Sequence, residues 1–218
     1  MSSPLTRGPT AVPVGRLEPL VMPVRTVVAR YLEDLQRLLE QIDPAALERA
    51  VEHLRRARDA GATIYLAGNG GSAATATHVA NDLGKATRRS GRRPIRVMCL
   101  SDNVSWLTAL ANDEGYERVF AGQLENFASP GDVLVVISAS GNSLNLVHAV
   151  ELARARSVTT IGVLGFDGGR LKEMVDEALW LRSEHGLYGP VESAHVVLLD
   201  ILTACLIEDR LPGDRAAD

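Results

Sequence analysis

The chain has little cysteine, no surplus of basic charge, no uninterrupted apolar run of membrane-spanning length and no internal repeat. Each absence excludes something. Cys99 and Cys205 sit singly in "IRVMCL" and "ILTACLIE", so no Cys-x-x-Cys pair is available for a metal or a redox couple. Buried thiols in a reducing cytoplasm are expected, and a disulfide scaffold is not. Lys and Arg number 23 against 27 Asp and Glu, a net charge of −4. That balance gives no electrostatic footprint for nucleic acid. The one basic run, "KATRRSGRRPIR", reads as a solvated loop. The N-terminal "MSSPLTRGPTAVPVGRLEPLVMP" lacks a secretory core segment, and no membrane role is expected.

What is present is a chain of 218 residues, 46% hydrophobic, enough for one sizeable core with a helical extension. Residues 1–24, rich in proline and glycine, read as a flexible arm. Residues 25–211 read as a single domain and 212–218 as a tail. "VRTVVARYLEDLQRLLEQI" places Val28, Tyr31, Leu32, Leu35, Leu38 and Leu39 at helical spacing. A second helix follows, with Asp43 as N-cap, Pro44 in the first turn and Gly61 as the stop.

An alternation then begins. "TIYLAG", "PIRVMCL", "GDVLVVISAS", "TTIGVLG" and "EALWLRS" read as strands. Between them "SAATATHVANDLG", "VSWLTALAND", "YERVFAGQLENFA", "SLNLVHAVELARARS" and "GRLKEMV" read as helices, and "PVESAHVVLLDILTACLIEDRL" closes the chain as a long helix. Continuous apolar strands alternating with helices predict an α/β fold: a parallel sheet in a three-layer αβα sandwich, preceded by a helical pair. Ligands of such sheets bind beyond the carboxyl ends of the strands. That rule gathers "AGNGGS", "SDN", "SASGNS" and "GFDGG" at one rim.

In "GNGGS", Asn69, Gly70 and Gly71 can turn sharply and leave backbone N–H groups free, with Ser72 capping the next helix. Free amides and the helix dipole favour an anion. The spacing is neither the dinucleotide G-x-G-x-x-G pattern nor a Walker A loop, so no nucleotide cofactor is expected. "ISASGNS" repeats the strand-to-helix arrangement with Ser138, Ser140 and Ser143 around one turn. Hydroxyls and amides without a lysine suit a phosphate monoester.

The ordered series "GNGGSA…H", "AND" and "GDVLVVISASGNSLN" resembles the sugar isomerase (SIS) domain, and within it the phosphoheptose isomerase branch, over about residues 25–210. The resemblance implies interconversion of sedoheptulose 7-phosphate and a heptose 7-phosphate. It also implies a homotetramer with active sites shared between subunits. It places substrate contacts on Asn69, Gly70, Gly71, Ser72, Asn112, Asp113, Ser138, Ala139, Ser140, Ser143 and Glu192. Ala139 stands where threonine is common.

At the chemical centre the sequence departs from the family. His78 matches, but Asp82 stands for a glutamate, Glu192 for a glutamine and Asp200 for the catalytic histidine, while His195 matches a nearer histidine. Aldose–ketose isomerisation through an enediol needs a base between C1 and C2 and an acid or electrophile at the neighbouring oxygens. Asp82 can be the base, with Glu192 and Asp200 managing the oxygens. In the resembling isomerases the positions of His78, Asp82, Glu192 and Asp200 can hold zinc. Here one imidazole and three carboxylates make a divalent metal possible, zinc or the harder manganese and magnesium. The alternatives are a non-catalytic SIS protein that senses a phosphosugar or docks a partner such as a replication initiator, and an isomerase for a different phosphosugar. His53 and His148 read as structural or solvent-facing, Trp106 and Trp180 as packing residues, and His185 as a residue that could approach the rim.

Overall fold

The computed structural model describes residues 22–89 and 91–209. Nearly all of the expected N-terminal arm, and the whole C-terminal tail, lie outside the described residues. Five strands form one parallel sheet in the order β2-β1-β3-β4-β5: β1 Thr63–Gly68, β2 Arg96–Cys99, β3 Val133–Ser138, β4 Thr159–Leu164 and β5 Glu177–Trp180.

Both faces of the sheet are covered, and the side-chain alternation shows how. Ile64 and Leu66 of β1, with Val133, Val135 and Ile137 of β3, face one core. Tyr65 and Ala67, with Leu134 and Val136, face the other. The first core is closed by α2 (Pro44–Ala60), α3 (Gly71–Lys85) and α8 (Tyr188–Ile207). The second is closed by α4 (Val104–Asp113), α5 (Ala121–Phe127), α6 (Leu144–Ala155) and α7 (Gly169–Met174). This is the expected three-layer sandwich, and burial on both faces explains why the strands read as unbroken apolar runs.

The N-terminal pair is α1 (Val24–Leu39) and α2. Asp43 accepts from the Ala45 amide at 2.9 Å, and Gly61 ends α2 at φ 74°. Along α1, Leu38 is buried and Leu35 and Leu39 pack against the core, whereas Val24, Val27, Val28, Tyr31 and Leu32 stay exposed. The Tyr31 hydroxyl lies 2.8 Å from the Ser193 hydroxyl, fastening α1 to α8.

Two expectations need correction. "YERVFAGQLENFA" is not one helix. A 3-10 turn at Tyr116–Arg118 follows Gly115 at φ 97°, and α5 starts only after the fully buried Val119 and Phe120 have turned the chain into the core. Ser72 is not a cap either. The N-cap of α3 is Gly70, at φ 54° and ψ −121°, a conformation reserved for glycine, so the helix begins before Ser72 and buries it. The closing helix α8 is long and apolar enough to cross a membrane by length and composition. Half of that window is nevertheless buried inside the fold, where it serves as a core helix. Cys99 is buried and Cys205 half-buried, both as free thiols.

Candidate functional site

In the strand order the chain leaves β1 for β2 on one side and returns to β3 on the other. The crevice beyond the carboxyl ends of β1 and β3 is therefore the switch point where open α/β sheets bind ligands. The β1–α3 and β3–α6 loops form its two lips. Gly68 allows the first lip to close tightly, since an added Cβ would lie 2.6 Å from the Ser72 backbone. The second lip is wedged against the β4–α7 loop. Gly141, at φ 63°, leaves no room for a Cβ, which would fall 1.9 Å from the Gly168 carbonyl oxygen. The Leu171 amide donates to Gly141 O at 3.0 Å and the Arg170 amide to Asn142 Oδ1 at 3.0 Å.

The three serines of the second lip are not equivalent. Ser138 is buried, and its hydroxyl accepts from the Gly141 amide at 3.0 Å, shaping the turn from inside. The Ser140 hydroxyl accepts from the Asn142 amide at 3.3 Å. Ser143 occupies the N-cap of α6 but makes no side-chain cap bond, which leaves its hydroxyl for a ligand. Ala139 is buried, with its backbone packed against Gly165. Asn112 and Asp113 end α4 exposed, the Asn112 amide donating to Asp113 Oδ1 at 2.7 Å.

His78 and Asp82 lie one turn apart on α3, on the face turned toward α8. His78 Nε2 is 3.3 Å from Asp82 Oδ2 and 3.4 Å from Asp200 Oδ1. One ligand atom from each of the three lies within 4.8 Å of the others. The Asn81 amide donates to Asp82 Oδ1 at 2.9 Å. Glu192 does not join this group. Its carboxylate lies over Gly71 at the first turn of α3, where an added Cβ would come within 2.5 Å of Oε2. The reason is geometric. Glu192 and Asp200 are two turns apart on α8, as Gly71 and His78 are on α3, so the two helices bring the pairs together at separate levels. The positive end of α3 favours the carboxylate where it lies.

His195 is 1% exposed and sits inside the core rather than at the rim. Burial lowers its pKa to about 4 against the pull of the Leu164 carbonyl. That carbonyl already accepts from the Leu181 amide, and neither ring nitrogen of His195 reaches hydrogen-bonding geometry. His185 Nε2 is 3.3 Å from Asp167 Oδ2 on the β4 side of the rim, its ring against Phe166. Asp167 is held below the usual carboxylate range first by the Gly169 amide and then by His185. His148 Nδ1 lies 3.2 Å from Glu117 O. Trp106 packs edge-on against Phe127, and the Trp180 indole donates to Phe166 O at 3.2 Å.

Two residues outside the expected site, Asn145 and Tyr116, join the lips. Asn69 and Asn145 exchange carboxamide hydrogen bonds at 3.0 and 2.8 Å, and the Tyr116 hydroxyl donates to Asn69 Oδ1 at 2.9 Å. Asn145 lies two residues beyond Ser143 and could have been suspected. Nothing local marks Tyr116.

The SIS domain model matches residues 30–165. The phosphoheptose isomerase of Trichlorobacter lovleyi is 37% identical over 194 residues, covering 87% of this chain and 96% of that protein. The lincomycin biosynthesis protein LmbN of Streptomyces lincolnensis is 38% identical over 172 residues, covering 76% of this chain and 62% of its own length. The structure of the phosphoheptose isomerase GmhA from Neisseria gonorrhoeae superposes with a TM-score of 0.74 at 31% identity, covering 84% of this chain and 97% of that one. With the sheet order, the two lips and these matches in agreement, the chain belongs to the SIS domain family and, within it, to the phosphoheptose isomerases.

Proposed function

We propose that the protein interconverts sedoheptulose 7-phosphate and a heptose 7-phosphate by proton transfer between C1 and C2. The observation that carries this reading is the convergence of His78, Asp82 and Asp200 on the seam between α3 and α8, about two turns along α3 from the first lip. The phosphate goes to the Ser138–Ser143 lip, where Ser143 Oγ and the loop amides are uncharged donors. The first turn of α3 already faces Glu192, which turns a second anion away and leaves that carboxylate to accept from sugar hydroxyls. Asp82 is the base, and Asp200 holds the imidazole of His78 from the opposite side.

A divalent metal fits this donor set. Ligands 2.0–2.2 Å from an ion lie roughly 3–3.5 Å apart, as His78 Nε2 does from both carboxylates. His78, Asp82 and Asp200 would hold it, and it would polarise the substrate's carbonyl and neighbouring hydroxyl. Glu192 is not in that set. The assembly is a homotetramer that shares its active sites, as the exposed apolar stripe on α1 supports, and the free thiols fit a reducing cytoplasm. The likeness to a lincomycin biosynthesis protein favours a second reading, the same chemistry on another phosphosugar.

Asp82→Asn and Asp200→Asn test the centre. The first lowers kcat by about 10²-fold or more, the range for loss of a positioned base, and both weaken metal binding in calorimetry. Full activity in Asp82→Asn would remove that residue from the chemistry.

A further inference from the structure

We infer that Asn145 and Tyr116 are positioning residues, which with Asn69 form a side-chain clasp that locks the two lips in register. The inference rests on the reading of those lips as the phosphosugar site. It also changes what Asn69 does. Asn69 Oδ1 accepts from Asn145 Nδ2 at 2.8 Å and from the Tyr116 hydroxyl at 2.9 Å, which fills both lone pairs. Its Nδ2 donates to Asn145 Oδ1 at 3.0 Å, and that same oxygen accepts from the Leu146 amide at 3.0 Å. The carboxamide of Asn69 thus serves the clasp, and contact with substrate from this turn falls to the backbone.

The turn needs such a clasp. Asn69 leads into Gly70, whose φ of 54° and ψ of −121° suit glycine alone, and a Cβ built there meets no atom of the described residues within 4 Å. The orientation of the peptides entering α3 is therefore set from the Asn69 side. Asn145 is 2% exposed and stands in the first turn of α6, two residues beyond the N-cap Ser143, so one reciprocal pair fixes the entry to both helices. Burial removes competition from water and makes an unmatched amide costly, which gives the pair directional strength. Tyr116 comes from a third segment, the 3-10 turn three residues beyond Asp113, and its ring stays half exposed. Its hydroxyl draws the end of α4, with Asn112 and Asp113, toward the crevice.

A purely structural role predicts that these residues matter only for stability. A clasp predicts effects on substrate binding. The test uses the full-length protein and measures KM and kcat for sedoheptulose 7-phosphate, the rise in Tm on adding inorganic phosphate, and Tm alone. Tyr116→Phe keeps the exposed ring and removes one hydrogen bond. KM is expected to rise by up to roughly fivefold, the factor for one neutral hydrogen bond, with kcat nearly unchanged and unliganded Tm lowered by no more than about 2–4 °C. Asn145→Asp replaces the amide donor with a carboxylate, which cannot donate to Asn69 Oδ1. KM is expected to rise more than in Tyr116→Phe, and the rise in Tm on adding inorganic phosphate is expected to shrink. Unchanged KM and unchanged phosphate stabilisation in both variants would overturn the clasp, whether or not Tm falls. If the parent binds phosphate but does not turn over sedoheptulose 7-phosphate, the functional reading fails while the phosphate shifts still decide the clasp. A parent that neither binds nor turns over sinks both.

Discussion

Single positions decide whether the crevice exists. Gly141 is the most constrained, because its positive φ and the Gly168 carbonyl beneath it both exclude a side chain. Gly141→Ala costs at least about 1 kcal/mol from the left-handed backbone alone, and relief of the clash separates the phosphate lip from the β4–α7 loop. The expected outcome is loss of most phosphate-induced stabilisation in a thermal shift assay. Retention of the full shift would show that phosphate binds elsewhere. His195 makes a prediction about pH. Burial holds its folded pKa at about 4, below the 6.5 of a free imidazole. Between those values the unfolded chain binds a proton that the folded chain refuses, so its contribution to stability is complete above pH 6.5 and drains away as pH falls toward 4. The linkage is on the order of 3 kcal/mol. Urea unfolding at pH 7 and 4.5 should show that loss in the parent and much less of it in His195→Leu; equal losses would contradict the assignment. The position of the two lips was legible in sequence, because glycine and serine directly after an apolar strand mark the turn into a helix. The split of Glu192 from His78, Asp82 and Asp200 was not, since helical spacing gives a common face but not the level at which two helices meet.

At the scale of elements, the strands were readable from their unbroken apolar runs and α2 from Asp43, Pro44 and Gly61, each a local signal with a local cause. The start of α3 was misplaced because serine is a good cap on average, whereas this turn needs the backbone of Gly70. Tyr116 lay beyond reach altogether, since its bond to Asn69 spans 47 residues. Helix α1 is the element whose sequence and surroundings disagree most. Its apolar residues recur at helical spacing, yet five of them face outward in the single chain. Such a stripe is relieved by burial against further copies. Light scattering at micromolar concentration should report a tetramer for the parent and smaller species for Leu32→Asp. A monomeric parent would contradict the assembly, and an unchanged tetramer in the variant would move the interface off α1.

The whole molecule joins a neutral phosphate lip to a rim rich in carboxylates. Its net charge of −4 does nothing to attract a dianionic sugar phosphate. On the proposed reading, recognition rests on directed hydrogen bonds from the Ser138–Ser143 loop rather than on long-range charge. The acidic centre suits proton transfer and a divalent ion better than it suits an anion, so the proposed reading keeps the phosphate on the Ser138–Ser143 lip and away from His78, Asp82 and Asp200. The central claim is that Asp82 moves a proton between C1 and C2 of a phosphosugar held this way. The most direct measurement incubates the protein with sedoheptulose 7-phosphate in D₂O, with and without added divalent metal, and follows the sugar by NMR. The account predicts an aldose product carrying deuterium at C2 and deuterium appearing at C1 of the remaining ketose, both lost in Asp82→Asn. The absence of both exchange and product with every metal tried would contradict it.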